Sequence, residues 1–99
     1  MIEGTHRVQI VGRLNGELRY GGSLECVWLV DAAGEVTYLF LDEEVTVLFE
    51  PLRLIDPTGS IIARGGDRVT ATGIEAVAGE TGCAPDEVPF LARAISGPR

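Results

Sequence analysis

Ninety-nine residues with 15 acidic against eight basic side chains give a formal charge of -7, and 45% of the residues are hydrophobic. All eight basic side chains are arginines and the one histidine is His6, which excludes a lysine-dependent phosphate loop and sets non-specific contact with phosphate backbones at a disadvantage. No apolar run approaches the roughly 20 residues of a membrane helix.

A chain of this size is read as one domain, 1–99, able to bury a core without metals or several disulfides. Residues 1–6 have neither the charged start nor the apolar block of a signal peptide. The expected compartment is therefore the cytoplasm, with the cell envelope as the alternative where a processed segment precedes the chain.

Period-two alternation broken by turn residues runs through almost the whole sequence, which predicts an all-β fold. The first predicted strand covers 6–14, with Val8, Ile10, Gly12 and Leu14 on one face. Asn15-Gly16 is a hairpin-type turn signal, extended by Tyr20-Gly21-Gly22-Ser23. The second strand, 24–31, carries Leu24, Cys26, Trp28 and Val30 as its inward set, yet Val27 and Leu29 make the other face apolar too. A turn at Ala32-Ala33-Gly34-Glu35 leads to a third strand, 36–41.

Asp42, Glu43 and Glu44 follow. The spacing of these carboxylates is not that of a calcium loop, and they read as a solvated turn that discourages edge pairing. Strand-like pieces at 45–50, 52–55 and 61–64 surround the turn Asp56-Pro57-Thr58-Gly59 and read together as an extra β-hairpin. The segments 42–48 and 85–88 are the best helix candidates, but both are short, and β-branched residues in the first favour a strand. Gly65-Gly66-Asp67 turns into the clearest strand, 68–77, with Val69 and Ala71 on one face and Thr70, Thr72 and Ile74 on the other. A loop at 79–87, a closing strand at 90–96 and the tail Gly97-Pro98-Arg99 complete the chain.

Cys26 and Cys83 belong to no paired metal-ligand motif. On the residues alone they read first as two small buried hydrophobes. A disulfide between them is the rival reading, and in the chain-entropy model it would stabilise the fold by about 4 kcal/mol.

The order of a strand, a hairpin of two strands, an insert, a Gly-Asp-Arg-Val-Thr-Ala-Thr-Gly strand and a Phe-containing strand resembles the OB-fold, a five-stranded Greek-key barrel. In that likeness Gly12 and Gly73 sit where strands coil, and the 45–64 hairpin replaces the helix between strands 3 and 4. More narrowly, Cys26, with Cys83 ahead of Pro89-Phe90, is similar to the arrangement in small bacterial proteins, some of them envelope lipoproteins. That resemblance implies no catalytic residues.

Inventory leaves little room for catalysis: a His-containing triad would have to use His6, and neither a Gly-x-Gly-x-x-Gly turn nor a Gly-x-Ser-x-Gly elbow is present. No enzyme, cofactor or metal is therefore expected. The preferred function is a protein-interaction or structural module, with a homodimer as one form. Its warrant is the surplus of apolar residues (Val27, Leu29, Leu48, Ile55, Ile62, Leu91, Ile95) facing away from the better-patterned sets, which an added layer or a second chain must cover. The alternative is single-stranded nucleic-acid binding across strands 2 and 3. Trp28, Tyr38, Phe40 and Tyr20 would stack bases, and Arg13 and Arg19, with Arg7, would contact phosphates.

Overall fold

The structure, a computed structural model, describes residues 8–41, 44–75, 83 and 89–97. It is all-β, with strands β1 (Val8–Arg19), β2 (Leu24–Val30), β3 (Val36–Leu41), β4 (Thr46–Leu48), β5 (Arg53–Ile55), β6 (Ile61–Arg64), β7 (Arg68–Glu75) and β8 (Phe90–Ser96). Five strands close a barrel in the order β1-β2-β3-β8-β7, while β4-β5-β6 form a separate three-stranded sheet. The β3–β8 contact is parallel and the other barrel pairs are antiparallel. This is the OB-like Greek-key order expected from the sequence. The insert between the third and fourth barrel strands is a three-stranded meander, one strand more than a hairpin.

Closure depends on β1 serving two neighbours. Val8 to Arg13 pair with β7, and Arg13 to Arg19 pair with β2. The turn expected at Asn15-Gly16 does not form: Asn15 lies opposite Trp28 and Gly16 opposite Val27, in the middle of the strand. Gly16 instead permits close packing, since a Cβ there would stand 3.0 Å from the Cys26 carbonyl oxygen and 3.1 Å from the Leu52 methyls. The chain reverses later, at the 3-10 turn Tyr20–Gly22. Gly73 acts as expected. It lies at a register shift between β7 and β8, and a Cβ there would run into the Leu91 carbonyl, a backbone approach open only to glycine.

The core receives Leu14 from β1, Val27 and Leu29 from β2, Leu39 from β3, Val69 and Ala71 from β7, and Phe90 and Ala92 from β8. This corrects the expected phase of β2. Val27 and Leu29 point inward, and Trp28 stands on the outer face with Leu24 and Val30, all three only half-buried. Both faces of β2 are apolar, so alternation alone could not choose between them; closure of the barrel decides.

Leu54 of β5 and Ala63 of β6 belong to the same core, with Val45, Val47, Leu52 and Ile62 packed against it. The insert is thus part of the hydrophobic interior. Much of the apolar surplus disappears into this arrangement, since Val27 and Leu29 are core and Ile62 and Ile95 pack on it. Leu48 stays exposed. The helix considered over 42–48 is replaced at Thr46–Leu48 by strand. Expectations for Arg7, His6, Asp42, Glu43, most of the 79–87 loop, the 85–88 helix and the end of the tail fall outside the described residues.

Candidate functional site

The outer face of β1, β2 and β3 gathers most of the side chains singled out from sequence. Trp28 and Tyr38 are direct partners across β2–β3, with ring centroids 5.5 Å apart and planes tilted by 47°. Cross-strand aromatic pairs of this kind are a recognised source of sheet stability. Arg19, at the end of β1, lays its guanidinium 5.5 Å from the Trp28 ring centre and 5.8 Å from that of Tyr38. These distances fall within the range of cation–π attraction.

Each of the three nitrogens of the Arg19 guanidinium donates a hydrogen bond. It donates to the Cys83 carbonyl at 3.0 Å and to the Tyr38 hydroxyl at 3.3 Å, and it pairs with the Glu17 carboxylate two residues away. The bond to Tyr38, then that to Glu17, raises its pKa above the ordinary arginine value. Arg19 is therefore a fixed positive charge at the centre of the face.

Beside it, Cys26 and Cys83 form a disulfide, with Cα atoms 5.8 Å apart and a separation of 57 positions in sequence. The reading of two independent buried hydrophobes is corrected here. Cys26 is fully buried, but it lies two residues from Trp28 on the strand face that carries the aromatic pair, where residue 83 is brought against it. The bond and the Arg19 hydrogen bond together anchor residue 83 at this corner.

The other predicted residues scatter. Phe40 lies two residues beyond Tyr38 on β3 and is 41% exposed, with Val36 on its other side also open to solvent. Tyr20, 78% exposed, sits on the turn after Arg19 with a positive φ of 53°, a conformation uncommon for a bulky residue. Ser23 donates to the Tyr20 carbonyl through both its N–H and its hydroxyl, which fixes the turn. Arg13 is not part of this cluster. It lies six residues back along β1, donating to the Gly66 carbonyl at 3.0 Å and standing opposite Arg68 of β7.

Sequence reading missed Glu17 and the Cys83 carbonyl as partners of Arg19, and Arg68 as the neighbour of Arg13. The alternation of Glu17 and Arg19 was visible in sequence, but the pairing of strands that brings distant residues together was not. Among the described residues no group of three or more histidine, cysteine or acidic side chains is placed to hold a metal ion, and no helix is long and apolar enough to cross a membrane. Comparison with known families, curated proteins and solved structures gives no significant match. The OB-like description therefore rests on strand order alone.

Proposed function

We propose that this protein is a non-enzymatic protein-interaction module whose contact surface is the outer face of β1–β3. The observation that carries this reading is the set of exposed apolar and aromatic side chains, Tyr20, Val36 and Phe40, surrounding the fixed Arg19–Trp28–Tyr38 group. Tyrosine, tryptophan, phenylalanine and arginine are the residues enriched where protein partners bury surface. A rigid aromatic centre also loses little side-chain freedom on contact.

The alternative, single-stranded nucleic acid, draws on the same aromatic rings, but the arginine that lies over them is already engaged. Arg19 already serves Glu17, Tyr38 and the Cys83 carbonyl, the Glu17 carboxylate shares its face, and the whole chain carries -7. The disulfide supports an oxidising compartment, such as the cell envelope, over the cytoplasm.

A benzophenone amino acid placed at position 40 or 20 tests the reading, with position 58 on the distant Asp56 turn as control. Crosslinking in the source cells should give a discrete protein adduct, to a second copy or another chain, from 40 and 20 but not from 58. Adducts removed by nuclease, or no adduct above the control, overturn it.

A further inference from the structure

Half of the eight basic side chains cluster around one turn of this acidic protein. Arg53 stands opposite Arg64 across β5–β6, and Arg13 opposite Arg68 across β1–β7. Residues 64 and 68 flank the Gly65-Gly66 turn between β6 and β7. Like charges directly opposite on a sheet are destabilising. Among the described residues, neither Arg13 nor Arg68 has a carboxylate within ion-pairing distance, the pair formed by Arg19 and Glu17 being elsewhere. The one hydrogen bond Arg13 donates is to the neutral Gly66 carbonyl, and Arg68 is exposed.

Arg13 and Arg68 both line a hollow of about 500 Å³, together with Val11, Asn15, Val30 and Ala32. That volume is in the range of small-molecule sites. Its lining combines two arginines and an amide with the apolar side chains of Val11, Val30 and Ala32. Asp31 also borders the hollow. One oxygen of its carboxylate is engaged by the N–H groups of Ala33 and Glu35, but its charge still faces any anion that enters.

We propose that this hollow binds a small organic carboxylate bearing an apolar portion. The guanidinium fork matches a carboxylate in shape as well as charge, and an anion between Arg13 and Arg68 replaces their mutual repulsion with two attractions. The apolar wall accepts the remainder of the molecule. The apolar lining, not charge, separates such a carboxylate from inorganic phosphate, because attraction to the arginines and repulsion from Asp31 both scale with the charge of the anion. The hollow lies on the same outer face of β1 and β2 as the aromatic group, Asn15 standing opposite Trp28, but none of the aromatic side chains lines it.

The test is titration of the full chain with benzoate, acetate and inorganic phosphate, followed by backbone-amide NMR. Benzoate should give saturable shifts at Gly12, Asn15, Val30 and Arg68, with acetate weaker and phosphate weaker still. Arg68→Gln and Arg13→Gln should each lower benzoate affinity about tenfold, the order expected for losing one charge-assisted hydrogen bond. Arg93→Gln, an exposed arginine on β8, should leave that affinity unchanged. The Gly73 amide, whose shift depends on the β7–β8 bulge, reports whether each variant keeps the barrel. Benzoate affinity unchanged in both charge variants, phosphate binding tighter than benzoate, equal shifts around Arg93, or no saturable shift at all would each overturn the proposal.

Discussion

Arg19 and Arg68 are the same residue type on the same barrel, but their surroundings differ. Arg19 is half-buried, lies against two rings and donates to a carbonyl, a hydroxyl and a carboxylate. Arg68 is exposed, faces another arginine and borders a hollow. An arginine whose donors are satisfied internally fixes a surface in one shape, whereas an arginine opposite a like charge leaves interaction energy for a ligand to supply. The difference separates a closed corner, stapled by Cys26–Cys83 and suited to rigid contact, from an open one suited to an anion.

Removing the staple should have the largest effect. A Cys26→Ala/Cys83→Ala variant should lose about 4 kcal/mol of stability, the chain-entropy value for a loop of this length, read from urea unfolding without reductant. Trp28 is the only tryptophan, so acrylamide quenching of its fluorescence reports on the same corner and should increase in the folded variant. Wild-type stability in the double variant would show that Arg19 and the ring pair hold the corner unaided, and would erase one side of the contrast.

The next test asks whether the insert belongs to the interior that supports both corners. Leu54 is fully buried and Ala63 nearly so, while Leu48 on β4 is exposed. Leu54→Ala should cost about 3 kcal/mol, a typical figure for emptying a core leucine site, whereas Leu48→Ala should change stability by about 0.5 kcal/mol or less. Equal small losses would mean that the β4–β6 sheet is an appendage.

Strand positions were largely legible because alternation and turn chemistry are local. β7 read correctly down to its inward Val69 and Ala71, and Gly73 was recognised as a bend. Asn15-Gly16 failed because a turn dipeptide is only a local preference. Ladder bonds to β2, with Leu52 packed over Gly16, override it here. Trp28 was assigned to the wrong face because β2 offers two apolar faces of similar quality, and only ring closure with β3 and β8 decides which one is inside. The aromatic members of the face were named from sequence, but Arg19's partners were not. Glu17 lies two residues away and Cys83 sixty-four away, and neither contact follows from composition. The pairing of Arg13 with Arg68 was hidden for the same reason, since it is set by the β1–β7 register.

The smallest effect gives the sharpest comparison, and it comes from exchanging arginine for lysine at both corners. Lysine keeps the charge and loses the planar fork. At position 19 the fork is what allows one side chain to reach Glu17, the Tyr38 hydroxyl and the Cys83 carbonyl while lying over two rings. Arg19→Lys should therefore lower the melting temperature by a few degrees, less than the disulfide or the Leu54 change above, and raise the acrylamide quenching of Trp28. At position 68 no hydrogen bond or ion pair among the described residues depends on the fork, so Arg68→Lys should leave both readings at their wild-type values while weakening benzoate binding. If lysine is tolerated equally at 19, charge alone holds the closed corner and its shape is not specified by hydrogen bonding. If lysine at 68 disturbs Trp28, the two corners are coupled through β1, whose residues 13 and 19 stand on one face of a single strand.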